Sequence, residues 1–128
     1  MDKIKEKDKM SLNIILIIIY IILTVSGLVL FKLGSSQEFN FNYNSGNISL
    51  NFNMKMILGL LCYVVSFLLY MFLVSKYDLS YIVPITQGVI YILIFLSSVA
   101  IFKDKVTVFS IIGTIMVISG IILLNIKK

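Results

Sequence analysis

The third apolar stretch of the chain carries side chains that can contact a polar molecule inside a membrane. Five of them recur at alternating steps of three and four residues, which places them on one helix face: Tyr81, Pro84, Gly88, Tyr91 and Phe95. Gln87 lies beside this stripe and adds an amide. These uncharged groups can stack on a ligand or form hydrogen bonds with it. We therefore expect this helix to line a pathway or a binding site.

The two preceding apolar stretches carry polar faces with the same spacing. Thr24 is the most polar group near the middle of the first, and its hydroxyl either faces a ligand or bonds the carbonyl one turn back. Lys32, at the end of that stretch, either extends towards water or pairs with an anionic head group. The predicted substrate chamber comprises Tyr20, Thr24, Gly27, Lys32, Tyr63, Ser66, Tyr70, Tyr81, Pro84, Gln87, Gly88 and Tyr91.

The composition indicates a membrane protein. Of the 128 residues, 59% are hydrophobic and 13% are charged, whereas soluble domains have about 45–50% apolar residues. Four stretches are long enough for a spanning helix, at 12–32, 55–75, 79–102 and 106–126. We predict an all-α integral membrane fold, a single domain made of a four-transmembrane-helix bundle. The first stretch is longer than a signal-peptide core, so we expect it to remain in the mature protein.

The charged residues and the single cysteine exclude several functions. The net charge of +5 comes from lysines at the segment ends, so we expect no nucleic-acid partner. The sequence has no histidine and one cysteine, Cys62, so we expect no metal site and no cofactor. No segment combines a nucleophile, a base and an oxyanion-stabilising group, so we expect no catalytic residue and no enzyme activity.

The lysines also predict an orientation. With four spans, the side that holds the N-terminal tail 1–11, the 76–78 link and the C-terminus carries seven lysines, and the other side carries four. Positive charge favours the cytoplasmic side. We expect both termini in the cytoplasm, the loop 33–54 outside, and the protein in the plasma membrane, with dual topology as an alternative.

The loop between the first two spans contains a second pattern. In 38–54, aromatic and aliphatic residues alternate with polar ones on both sides of the turn-prone segment 44–47. This alternation is typical of a β-hairpin. The apolar face of this amphipathic hairpin would rest at the membrane interface or at the mouth of the helix bundle, and its members include Phe39, Phe41, Ile48 and Leu50. The alternative is a disordered asparagine-rich loop.

The fourth stretch has no aromatic stripe and offers small residues instead. Gly113 and Gly120 lie seven residues apart, and Ser119 is adjacent to the second. Small residues at such spacing allow helices to approach closely in lipid. We expect these three residues to contact a second subunit, and the alternative is that the glycines pack against the third helix of the same chain.

Several of these motifs, in this order, resemble one transporter family. They are Thr24-x-x-Gly27, Cys62-Tyr63-x-x-Ser66-Phe67, Leu79-Ser80-Tyr81-x-x-Pro84, Phe102-x-Asp104 and the pair Gly113 and Gly120. The chain resembles the drug/metabolite transporter superfamily over about residues 12–126, and within it the four-helix small multidrug resistance family and its EamA-like relatives. The resemblance implies a homodimer or a heterodimer with a related four-helix protein. It also implies a chamber lined by the first three helices.

One position departs from the family. Proton-coupled members of the small multidrug resistance family have a buried glutamate where this chain has Thr24, and no acidic residue lies inside any predicted span. The start of the third helix resembles instead the flippase-like members that move lipid-linked aminoarabinose. This resemblance implies a lipid or lipid-linked substrate, with Lys32 near its phosphate.

Three functions follow as hypotheses from these residues. The first is a flippase-like transporter that moves a lipid-linked sugar or a small polar solute by alternating access as a dimer. The second is a multidrug or guanidinium-type efflux transporter. The third is a membrane partner of a glycosyltransferase that transports nothing itself and docks through 38–54.

Overall fold

The computed structural model describes residues 1–38, 42–44, 47–49 and 52–126. In these ranges the elements are α1 (Asp2–Glu38), β1 (Asn42–Asn44), β2 (Asn47–Ser49), α2 (Met54–Lys76), α3 (Leu79–Ile101) and α4 (Val108–Ile126). All four helices are long and apolar enough to cross a membrane. The predicted four-helix membrane fold is confirmed, and the chain is a multi-pass membrane protein.

Helix α1 extends beyond the predicted span of 12–32 at both ends. Its 37 residues correspond to about 55 Å of helix, against about 30 Å of hydrocarbon. The segment predicted as a tail continues the helix, and its side chains are exposed. Lysine and glutamate favour helix, and Asp2 in the first turn complements the helix dipole. Near the other end, two serine hydroxyls donate to carbonyl oxygens three residues back.

The other helices follow the predicted spans closely, and α4 differs most. It begins at Val108 rather than 106, after Thr107, whose carbonyl accepts from the Ser110 amide at 2.9 Å. Threonine is a favourable residue at a helix start. The preceding link contains Lys103 with a φ of 51°. A lysine in this left-handed region is strained by about 1–3 kcal/mol, a cost that the surrounding contacts must offset.

Two short strands lie between α1 and α2. They pair antiparallel, with Asn42 opposite Ser49 and Asn44 opposite Asn47. This pairing agrees with the predicted hairpin over these six positions. The proposed apolar face depends on Phe39, Phe41 and Leu50, which lie outside the described residues.

The extent of contact differs between the pairs of helices. Helix α1 lies between α2 and α3, while α4 contacts only α3 among the described helices. Gly27 and Gly59 bring the backbones of α1 and α2 into direct contact, because a Cβ on Gly59 would lie 2.7 Å from the Gly27 carbonyl oxygen. Although the link between α2 and α3 is short, these two helices pack on each other only slightly.

The core is small, as expected for a protein surrounded by lipid. Tyr20, Leu73 and Ile90 form its buried cluster, where α1, α2 and α3 meet. Most large apolar side chains are exposed, and α4 has no buried residue. These exposed groups match a hydrocarbon environment, in which apolar surface carries no penalty.

Candidate functional site

A polar cavity of about 200 Å³ lies among the first three helices. Helices α1, α2 and α3 all contribute to its lining, which comprises Tyr20, Thr24, Tyr63, Ser66, Phe67, Tyr70 and Gln87. Six of these seven residues belong to the predicted chamber. The polar faces of α1 and α2 therefore meet in one place, and α3 contributes Gln87, which lies beside its stripe, to the same cavity.

Tyr20 lies at the centre of this polar cavity. Its ring stacks on the ring of Tyr70, with centroids 5.2 Å apart and planes inclined by 22°. Its hydroxyl accepts a hydrogen bond from the Gln87 Nε2 at 3.3 Å. Tyr20 is only 4% exposed, so these contacts hold its ring in place between α2 and α3. The phenol still has its own proton to donate.

The two buried hydroxyls of the cavity donate to their own helices. Thr24 Oγ1 donates to the Tyr20 carbonyl at 2.8 Å, and Ser66 Oγ donates to the Tyr63 carbonyl at 2.7 Å. Thr24 thus forms the hydrogen bond to the carbonyl one turn back, which is one of the two roles predicted for its hydroxyl. A hydroxyl that has donated its proton keeps lone pairs for accepting. Both oxygens are therefore suited to a ligand that donates hydrogen bonds.

The α3 stripe does not enter the polar cavity as a whole. Gln87 belongs to that cavity and also to a second one of about 440 Å³, formed by α3 with Val117 of α4. The rest of the predicted α3 set lies towards α4: Pro84, Gly88 and Tyr91 line the second cavity. Tyr81 Oη donates to Asn125 Oδ1 of α4 at 3.1 Å. The stripe thus connects the chamber side of α3 with α4.

Two other residues of the predicted chamber, Gly27 and Lys32, lie outside the polar cavity. Gly27 is in the α1–α2 contact, where a Cβ would lie 2.9 Å from the Gly59 carbonyl oxygen. Lys32 lines a separate cavity between the second halves of α1 and α3. Its Nζ is 3.0 Å from Asp104 Oδ2 and 4.2 Å from the centre of the Phe102 ring.

Asp104 lies in the link before α4 and contacts both Lys32 and Ser98. Its carboxylate accepts from the hydroxyl of Ser98 as well as from Lys32, and its amide donates to the Ser98 carbonyl at 3.3 Å. The Ser98 hydrogen bond, followed by Lys32, holds the pKa of the Asp104 carboxyl below its ordinary value. The contacts of Asp104 therefore connect Lys32, near the C-terminal end of α1, with the α3–α4 link.

The predicted subunit contact on α4 is open in this chain. A Cβ on Gly113 or Gly120 would meet nothing within 4 Å. The alternative that these glycines pack against the third helix is therefore wrong. Ser119 Oγ donates to the Ile115 carbonyl of its own helix at 2.8 Å. The glycine that packs between α3 and α4 is Gly88, whose added Cβ would collide with the Ile121 side chain.

Comparison of the chain with known protein families, curated proteins and solved structures finds no match. The chemistry of the site must therefore be argued from its own residues.

Several residues in and around the site were not predicted from the sequence. Asn125 is the one amide in the fourth span, and this is the signal that identifies it. Asp104 belongs to the motif Phe102-x-Asp104 but not to the predicted site, although a carboxylate next to a helix end can reach a lysine on a neighbouring helix. Thr86, 1% exposed, bonds the Ile82 carbonyl at 2.7 Å and lies outside the stripe spacing.

Proposed function

We propose that this protein is a membrane transporter of the flippase-like kind, which moves a lipid-linked sugar or a small polar solute by alternating access as a dimer. The proposal includes membership of the drug/metabolite transporter superfamily, with the protein in the plasma membrane and both termini in the cytoplasm. The observation that supports it best is the uncharged, acceptor-rich lining of the polar cavity.

The lining suits a ligand that carries hydroxyl groups. Thr24 and Ser66 present oxygens that accept hydrogen bonds, because their protons are already used within the helices. The stacked rings of Tyr20 and Tyr70 offer an aromatic surface for a sugar ring. A cation would find no carboxylate here, since none of the cavity residues is acidic. This chemistry favours a neutral head group over a cation exchanged for protons.

The size of the cavity supports a dimer. Its volume of about 200 Å³ is below the ~300–1,000 Å³ of ordinary ligand sites. The residues that line it come from α1, α2 and α3, so a larger ligand would need a further wall from a second subunit, and the open faces at Gly113 and Gly120 of α4 allow the close approach of one. Gly113→Cys in a Cys62→Ala background tests the contact. We expect rapid disulfide crosslinking between two copies in native bilayers. Transport by a strictly monomeric protein would overturn the proposed dimer.

Transport is tested with the full chain in proteoliposomes and a fluorescent lipid-linked monosaccharide, whose exposure on the outer leaflet is followed by chemical quenching. We expect Ser66→Ala to slow this movement, because an acceptor in the polar cavity is lost. Ser75→Ala is the matched control, since Ser75 also donates to a carbonyl three residues back at 2.7 Å but is exposed. Equal rates for both variants and wild type would contradict the proposal. Proton release on adding a cationic drug would instead support efflux.

A further inference from the structure

The cavity beside Lys32 is distinct in chemistry from the polar cavity. It has a volume of about 330 Å³, and its walls are mainly apolar, with Leu28 and Phe31 from α1 and Ile94 from α3. Apart from the ion pair at one end, its polar groups are serine hydroxyls. Two of them, Ser35 and Ser97, donate to carbonyls of their own helices. The walls of this cavity therefore suit a hydrocarbon chain.

The end of this cavity carries positive charge. The Lys32 side chain is 51% exposed, and its ammonium has three donors, of which Asp104 takes one. Lys103 and Lys105 flank Asp104 in the link, and both are exposed. Asp104, at the end of this apolar groove, is thus paired with Lys32 and has a lysine on either side of it in the sequence. Lysines close to a membrane surface attract anionic lipids.

We propose that this cavity binds an anionic phospholipid, whose acyl chain lies along Leu28 and Ile94 and whose phosphate takes the place of the Asp104 carboxylate on Lys32. Asp104 then acts as an internal competitor for the lysine. The inference does not depend on transport, because it concerns a different cavity and a binding equilibrium. The occupant is a lipid rather than a free phosphate, because the groove is lined by apolar side chains.

The test uses the full chain reconstituted in phosphatidylcholine vesicles. Spin-labelled phosphatidic acid and spin-labelled phosphatidylcholine are compared by the fraction of each that the protein immobilises. We expect the wild-type protein to prefer phosphatidic acid. Lys32→Gln should lower that preference about threefold to tenfold, since the attraction of one lysine near the membrane surface for an anionic lipid is lost. Equal association of the two lipids with the wild-type protein would overturn the proposal.

Two further variants separate binding from structural damage. Asp104→Asn should raise the preference by up to about fivefold, because the competing exposed ion pair is removed. If Lys32 mattered only through its contact with Asp104, both variants would lower the preference, and that result would overturn the proposal. Lys55→Gln removes an exposed lysine at the start of α2. It should leave the preference unchanged, and a loss equal to that of Lys32→Gln would indicate general surface charge instead.

Soluble glycerol 3-phosphate distinguishes the two sources of phosphate. It should not reduce the immobilised phosphatidic acid, because it lacks the chain that fills the groove. Complete displacement at millimolar concentration would show a site for a free phosphate and would contradict the lipid assignment.

Discussion

Gly59 and Gly113 are the same residue in two helices of similar composition, but their surroundings are opposite. A Cβ on Gly59 would lie 2.6 Å from the Phe31 amide nitrogen, whereas one on Gly113 would meet nothing within 4 Å. The first glycine holds α1 and α2 in backbone contact, and the second faces open space on α4. The α1–α2 pair is therefore the closely packed part of the molecule. Among the described helices, α4 packs on α3 only.

The largest effect on the free energy of unfolding should come from Gly59→Ala, with Gly113→Ala as the comparison. Gly59→Ala forces a methyl group against backbone atoms that cannot rotate away, so we expect a loss of about 1–3 kcal/mol in the free energy of unfolding. Gly113→Ala adds the same methyl group in open space. In micelles dilute enough to keep the chain monomeric, where the proposed subunit contact is absent, it should be neutral or stabilise the helix by no more than about 1 kcal/mol. Unfolding in dilute mixed detergent micelles measures both, and equal losses would contradict the contrast between α2 and α4.

Gly88 should give an intermediate effect, because it is the glycine at which α4 meets α3. A methyl group there collides with the end of the Ile121 side chain rather than with backbone. Displacing that side chain from its rotamer costs about 0.5–1.5 kcal/mol, which is the destabilisation we expect for Gly88→Ala. Shortening the neighbour by Ile121→Ala should remove most of that cost when the two changes are combined. Additive losses in the double variant would show that the two residues do not touch.

The hydrogen bond between Tyr81 and Asn125 is the polar part of the same attachment. Tyr81→Phe removes the hydroxyl that donates at 3.1 Å, and such bonds in membrane proteins average about 0.6 kcal/mol. We expect a loss of that order and faster amide hydrogen exchange in α4, with α2 unchanged. Combining it with Asn125→Leu should produce little further loss. Equal acceleration of exchange in α2 would show that the bond supports the whole bundle and not α4 specifically.

The contrast between the helix pairs also explains what the sequence could predict. Length and hydrophobicity determine whether a segment can span a membrane, so the existence of four helices followed from composition. The spacing of polar residues identified six residues of the polar cavity, because one helix face turns towards one neighbour. Spacing does not reveal which neighbour that is. Gly27 and Gly88 were therefore assigned to the chamber, although one contacts α2 and the other contacts α4.

Lys32 shows a second reason why the pattern of a single segment does not predict the contacts of its residues. Its pairing with Asp104 joins residues 72 positions apart, and it depends on how α1 crosses α3. The extension of α1 at its N-terminal end has a local cause instead. The sequence predicts a cytoplasmic tail over 1–11, but the lysines and the glutamate of this segment also favour helix. Composition alone did not separate an exposed helix from an exposed coil.

The smallest effect on the stability of the fold should come from protonating Asp104, whose carboxylate pairs with Lys32 of α1. The pKa of its carboxyl is lowered in the folded protein, first by the Ser98 hydrogen bond and then by Lys32. The charged form is therefore favoured by folding, and the stabilisation is present in full above the ordinary carboxyl pKa. It is lost as the pH falls through the lower folded-state value. The effect is small because both side chains of the pair are about half exposed.

Asp104→Asn isolates this contribution. At neutral pH the wild-type protein should be slightly more stable than the variant, with the difference confined to the α1 end and the link in hydrogen exchange. On acidification the two proteins should converge, because protonated aspartic acid and asparagine are both neutral. Asp78→Asn, in the link between α2 and α3, provides the matched control. A wild-type advantage that persists in acid, or grows there, would mean that the Asp104 carboxylate is not what fastens α1 to the α3–α4 link.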